Sequence, residues 1–196
     1  MRQEAVHITV PVPVGLRYGY TMVIRYHRAL TLRAEQGGSE EDMGIEIERK
    51  FLVDPRGSWR SAPATRFRQG YLSTAKERTV RVRTAGEKGY LTIKGITRGA
   101  TRLEYEYSIP LADAEQLLDE LCERPLIEKD RYKLDHQGLT WEVDEFFGDN
   151  QGLILAEVEL SSEDQVFARP EWVRDEVTQD PRYYNANLIK HPYTRW

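Results

Sequence analysis

From Ile45 to Leu160 the chain alternates apolar and charged residues with a period of two, the mark of β-strands with one dry face and one polar face. In the first such stretch, Ile45 to Val53, Glu46, Glu48 and Lys50 share one face while Ile45, Ile47, Arg49 and Phe51 share the other. Asp54-Pro55-Arg56-Gly57 then supplies turn chemistry. The same pattern predicts strands over Thr65 to Tyr71, Arg78 to Thr84, Tyr90 to Lys94, Arg102 to Ile109, Ile127 to Leu134, Leu139 to Phe147 and Leu153 to Leu160, eight with the first. One amphipathic helix interrupts them. Asp113 is its expected N-cap, Leu117, Leu118 and Leu121 its apolar stripe, and Glu123 before Pro125 its end. Ser162 and Gln165 stand at capping-box spacing and predict a second helix beginning near Ser162. Residues 172–196 read as an aromatic, loop-rich tail packed across one end of the sheet.

A length of 196 residues with 40% apolar content suffices for one domain with a sizeable core, and a net charge of -4 argues against nucleic acid or an anionic membrane as the main partner. The one cysteine, Cys122, excludes an internal disulfide, leaves no zinc-ligand cluster and fits a reducing cytoplasm. Residues 1–42 differ from the rest, with five arginines, no lysine, a Val10-Pro11-Val12-Pro13-Val14 run and a loose joint over 36–42. Arg25, His27 and Arg28 interrupt their most apolar stretch, so neither a membrane span nor a signal peptide is expected there. Met43 directly precedes the first strand. Residues 1–42 therefore read as an N-terminal extension, either a true arm or the product of an upstream start, ahead of a domain over 43–196.

The charges repeat at one spacing. Glu46-x-Glu48, Glu104-x-Glu106 and Glu157-x-Glu159 are acid pairs, and Arg81-x-Arg83 and Lys129-x-Arg131 are basic pairs. Residues two apart on a strand point the same way at about 6.5 to 7 Å, so an acid pair suits a shared divalent cation. Without a cation, like charges that close repel and raise each other's pKa. Mg2+ or Mn2+ matches carboxylate oxygen donors, and no histidine cluster favours zinc. The cations converging on one cavity would in turn take a dense polyanion such as a triphosphate, arginine forking onto phosphate oxygens and lysine acting as a movable point charge. There is no Gly-x-x-x-x-Gly-Lys-Ser/Thr loop, so side chains would do this binding. The competing reading is a salt-bridge lattice on an outer face in water.

Glu46-Ile47-Glu48-Arg49-Lys50-Phe51 resembles the Glu-x-Glu-x-Lys signature of the CYTH superfamily, the triphosphate tunnel metalloenzymes. Arg81-x-Arg83, Thr92-Ile93-Lys94, Glu104-x-Glu106, Glu128-Lys129-Asp130-Arg131-Tyr132, Asp144 and Glu157-Val158-Glu159 follow in that family's order. Arg68-Gln69-Gly70-Tyr71-Leu72 and Arg182-Tyr183-Tyr184-Asn185 resemble its short bacterial members that hydrolyse inorganic tripolyphosphate.

The resemblance implies a mainly β (α+β) fold: an eight-stranded antiparallel β-barrel forming a tunnel, with a charged lumen and helices packed outside. It implies that Glu46, Glu157 and Glu159 hold one metal that clamps the triphosphate. Glu48, with Asp144 or Glu106, would serve a second metal that positions the attacking water. Lys50, Arg81, Arg83, Lys94, Lys129 and Arg131 would bind phosphates, and Glu48 and Lys50 are the catalytic candidates. Glu104 could equally orient those cations. Two Mg2+ or Mn2+ sites, a triphosphate substrate, no nucleic-acid or membrane partner, a monomer or homodimer and a cytoplasmic location are thus expected. A class IV type adenylyl cyclase or a thiamine-triphosphatase would use the same lumen, and a polyphosphate-binding module would use it without turnover. Tyr71 either lines a tunnel mouth or packs outward. Arg49 and Lys133 read as solvated surface, and Lys190 and His191 as a solvated tail.

Overall fold

The computed structural model describes residues 45–98 and 101–196. Met43 and the expected extension over 1–42 lie outside them. The strands are β1 (Ile45–Val53), β2 (Ala64–Ser73), β3 (Thr79–Ala85), β4 (Lys88–Lys94), β5 (Thr101–Ile109), β6 (Ile127–His136), β7 (Leu139–Phe146), β8 (Ile154–Glu159) and β9 (Val173–Glu176). They pair antiparallel in the order β5-β4-β3-β2-β6-β7-β8-β1, and Ile45 of β1 meets Leu103 of β5, so the first eight form a ring of neighbours. The short β9 joins β1 through Phe51↔Glu176, beyond the reach of β5. Four residues, Val173-Arg174-Asp175-Glu176, are too few to show an alternation, which is why the sequence pattern passes over β9. Between β6 and β7 the turn residues Gln137 and Gly138 have φ of 49° and 82°. Both lie in the left-handed region that a two-residue hairpin turn of matching twist requires.

A barrel with charges inside must cover its apolar outer face, and two segments do so. Helix α1 (Leu111–Glu120) places Ala114 and Leu118, with Cys122 just beyond, against Val82 of β3. Glycines permit the approach: a Cβ at Gly89 would stand 2.8 Å from Ala114 Cβ, and one at Gly70 would stand 2.7 Å from Cys122 Cβ. The helix starts earlier than expected, straight after Pro110, so Asp113 sits inside the first turn, where its charge suits the helix dipole, and does not cap it. On the other side Phe51, Trp141, Val143, Ala156 and Val158 are covered by Phe167 and Trp172 from the segment after β8. Burial of each large side chain here contributes about 2 to 3 kcal/mol.

That covering segment is not the helix predicted from Ser162. Gln165 Oε1 accepts hydrogen bonds from the Ser161 N–H and hydroxyl at 2.7 and 2.8 Å, and Ser162 donates to Asp164, which closes a turn. Pro170 follows within eight residues and Phe167 is drawn onto the sheet, so no helical stripe develops. A third apolar group lies inside the ring. Leu52, Tyr71, Ile127, Phe146 and Leu155 pack with Val177, Tyr183, Leu188 and Ile189 of the C-terminal segment, which includes the short α2 (Asn185–Leu188). The tail thus closes over apolar side chains at one end, as its composition implied.

Candidate active site

The ring encloses a cavity of about 1200 Å3, bordered on one side by Thr178, Pro181 and Tyr184 of the C-terminal segment. Its walls carry Glu48 and Lys50 of β1, Arg81 and Arg83 of β3, Lys94 of β4, Arg102, Glu104 and Glu106 of β5, Arg131 and Lys133 of β6, Glu142 of β7, and Glu157 and Glu159 of β8. The lattice of charges therefore faces inward. Register fixes who meets whom, with Glu48 opposite Glu159, and Lys50 opposite Glu157, which is also opposite Glu142.

Two knots of ion pairs form along this wall. In the first, Lys50 donates to Glu48 Oε1 at 3.0 Å and to Glu157 Oε1. Arg131 reaches Glu157 at 2.7 Å, also bonds Glu142, and forks onto both oxygens of Asp144 at 2.6 Å. Burial opposes the Lys50 charge, but Glu157 and Glu48 outweigh it and hold the ammonium above the ordinary lysine range. Burial likewise opposes ionisation of Glu157, and Lys50 and then Arg131 pull its carboxyl well below the usual value.

In the second knot, Glu106 accepts from Thr92 at 2.8 Å, Arg83 at 2.9 Å and Arg81 at 3.3 Å. Burial raises the Glu106 carboxyl, and Arg83 first among its partners brings it below the usual range. Glu104 pairs with Lys94 at 2.6 Å and approaches Arg102 at 3.7 Å. The Nε–H donors of Arg81 and Arg83 are buried without an acceptor among the described residues. Buried guanidinium donors left open on a cavity wall are suited to an incoming anion.

Lys129 and Asp144 belong to this cluster but not to the wall. Lys129 is 1% exposed and Asp144 0%, the two joined at 2.5 Å beside Arg131, with Phe67 and Phe146 about the ammonium. Expected as a phosphate ligand and a metal ligand, neither lines the cavity: Lys129 bonds Asp144, whose two oxygens take the fork of Arg131. Desolvation, aided by the Arg131 charge, pushes the Lys129 ammonium down to about 8 despite Asp144.

Lys133 is exposed, as the sequence reading had it, and it also borders the cavity and pairs with Glu142 at 2.6 Å. Arg102 and Glu142 were also passed over as site residues. Each falls at the same strand parity as its charged neighbours, Arg102 with Glu104 and Glu142 with Asp144, and parity alone would have found them. Tyr71 lies inward, lining the cavity, and burial raises its phenol to about 12. Arg49 is on the outer face as expected, but it is half-buried, forked onto Glu176 at 2.8 Å and stacked over Phe167.

Among the described residues no three acidic, histidine or cysteine side chains are already gathered as a metal site. The donor chemistry nonetheless fits a hard divalent ion. Glu48 and Glu159 are like charges directly opposed across a ladder, an arrangement that destabilises a sheet unless a cation lies between. Glu157 stands two residues from Glu159 on the same face, and every donor is carboxylate oxygen. Glu46 precedes Glu48 by one inward position; its side chain lies outside the described residues.

Residues 44–193 match the CYTH domain family. The chain is 53% identical over 151 residues to an inorganic triphosphatase of Acetivibrio thermocellus, covering 77% of this chain and 97% of that protein. It is 41% identical over 150 residues to an inorganic triphosphatase of Nitrosomonas europaea, covering 73% of this chain and 95% of that one. A solved structure of an inorganic triphosphatase, 38% identical, superposes with a TM-score of 0.53 over 74% of this chain and 93% of the other. With an inward-facing lattice of acids and bases on a ring of antiparallel strands and a family match across nearly the whole described part, this chain belongs to the CYTH domain family.

Proposed function

We propose that this protein hydrolyses inorganic tripolyphosphate, cleaving the terminal phosphate within the charged lumen with the aid of Mg2+ or Mn2+. The observation that carries the reading is the convergence of Lys50, Arg81, Arg83, Lys94, Arg102 and Arg131 on one cavity, faced by paired carboxylates. A polyanion with about five negative charges requires that density of cations. The two relatives named above support the choice of substrate.

Phosphoryl transfer passes through a loose transition state with charge on the peripheral oxygens, so catalysis is mostly positioning and electrostatic stabilisation. Arg81 and Arg83 would each donate to those oxygens, their Nε–H being without a protein acceptor among the described residues. Lys50 and Arg131 would bind the phosphates from β1 and β6. Glu48, which accepts a hydrogen bond from Lys50, would orient a water for in-line attack. Glu48, Glu157 and Glu159, with Glu46 before them, would hold the metal, which when bound neutralises phosphate charge and lowers the pKa of coordinated water.

Phosphate release from tripolyphosphate, pyrophosphate, ATP and thiamine triphosphate, each with Mg2+ and with Mn2+, tests the reading. Turnover should be fastest with tripolyphosphate and should vanish in Glu48→Gln. Faster turnover of an organic triphosphate, cyclic AMP formation, or binding without turnover would each point to one of the alternative functions.

A further inference from the structure

Glu157 occupies an unusual position for a carboxylate on a phosphate-binding wall. It is 8% exposed and bridges the two cations best placed to receive phosphate, Lys50 through Oε1 and Arg131 through Oε2. It therefore sits in a seat that an anionic oxygen of a substrate would take. We propose that Glu157 is a placeholder for a phosphoryl oxygen, and that it makes the lumen select triphosphate as its divalent-metal complex over the free polyanion.

The argument is one of charge balance and rests on the triphosphatase reading above. A free triphosphate entering the seat must displace Glu157 from Lys50 and Arg131. The displaced carboxylate remains close to the wall, deprived of its counter-charges and beside a dense anion, and an uncompensated buried charge costs several kcal/mol. Glu142 stands directly opposite Glu157 on β7 and is itself a carboxylate, so it offers no relief. Glu159, two positions along β8, is another. A cation that arrives with the triphosphate removes the difficulty, because Glu157 exchanges its ammonium and guanidinium partners for metal and the phosphate takes over Lys50 and Arg131. Ion pairs are exchanged and none is lost. The two ligands then assist each other by equal factors, as linkage requires. The substrate-free lumen meanwhile stays neutralised and folded.

Binding of diimidotriphosphate, whose P–N–P bridges resist hydrolysis, measured by calorimetry in EDTA and in excess Mg2+, tests this with wild type, Glu157→Gln and Glu157→Asp. Wild type should bind weakly in EDTA and much more tightly with Mg2+. Glu157→Gln keeps the shape and removes the charge, so its affinity in EDTA should rise by about tenfold or more, narrowing the gap between the two conditions. Glu157→Asp keeps the charge and should retain the wild-type preference, which separates a charge effect from damage to the fold. Association of Mg2+ with the free ligand in solution is the same for all three proteins and cancels in the comparison. Equal or weaker binding by Glu157→Gln in EDTA overturns the placeholder while wild-type turnover of tripolyphosphate leaves the proposed function standing. Absence of binding by wild type in both conditions, together with absence of turnover, overturns both.

Discussion

Glu48 and Glu159 stand directly opposite each other across the β1–β8 ladder, with Lys50 and Glu157 forming the next inward pair along it. The two carboxylates oppose each other on the ladder even though Lys50 and Arg102 approach Glu48 and the wall as a whole is neutralised. Sheets tolerate such opposition poorly, at up to about 1 kcal/mol per pair. Millimolar Mg2+ should therefore raise the melting temperature of the wild type in the absence of any substrate. Glu159→Gln should lose most of that rise. Differential scanning calorimetry with and without the ion checks this, and an equal rise in both proteins would place the ion elsewhere.

The fork of Arg131 is more important than its charge. It donates to both oxygens of Asp144 while reaching Glu157, a geometry the single ammonium of lysine cannot reproduce. Arg131→Lys should lower kcat/KM for tripolyphosphate by about a hundredfold, the order seen when one aligned donor to a developing charge is removed. Steady-state kinetics at saturating Mg2+ provides the measurement; a loss below threefold would assign the fork a purely structural task.

Lys129 gives the stability of the fold a dependence on alkaline pH. Its ammonium is pushed down to about 8 in the folded protein, against an ordinary lysine value of 10.5 in the unfolded chain. Between those values the unfolded chain holds the proton that the native state has released, so this residue's contribution to stability rises with pH across the window. Below about pH 8 both states are protonated and the buried charge costs up to about 3 kcal/mol. Lys50 behaves oppositely, its raised ammonium contributing fully below 10.5 and losing that contribution only at higher pH. Urea denaturation of wild type and Lys129→Met between pH 7 and 10 should show the difference between them shifting in favour of wild type as pH rises.

Helix α1 tests the separation of fold from function. Gly89 lies under Ala114 with the Ile109 and Pro110 carbonyl oxygens each 3.0 Å from where a Cβ would be, so Gly89→Ala must push the helix outward. The overpacking should cost about 1 to 3 kcal/mol, a fall of several degrees in melting temperature. Because α1 is on the outer face, kcat at 25 °C should remain at the wild-type level. A parallel fall in kcat would show that the helix helps set the lumen.

The period of two in the sequence determined most of this architecture. It placed all eight barrel strands and set Glu48, Lys50, Arg81, Arg83, Lys94, Glu106, Arg131, Glu157 and Glu159 on one shared face, which the family resemblance turned inward, so that something had to cover Phe51, Val82 and Trp141 on the other side. It also gave the parity by which Arg102, Glu142 and Lys133 join that set. Local pattern misled where local contacts ended in a turn, as at Ser161 and Gln165, whose capping-like bonds are real but lead into a segment drawn onto the barrel.

Alternation tells which face a side chain takes but is silent on how far along the barrel it stands. Leu52, Ile127, Phe146 and Leu155 share the inward parity of the charges, yet they pack under the C-terminal tail, with Tyr71 between them and the cavity. Lys129 and Asp144 share it too, and they are buried off the cavity lining. Depth is set by the stagger of one strand against the next around the ring, a sum over eight registers that no single strand encodes. Only the assembled barrel decided which inward charges line the cavity and which are buried off it.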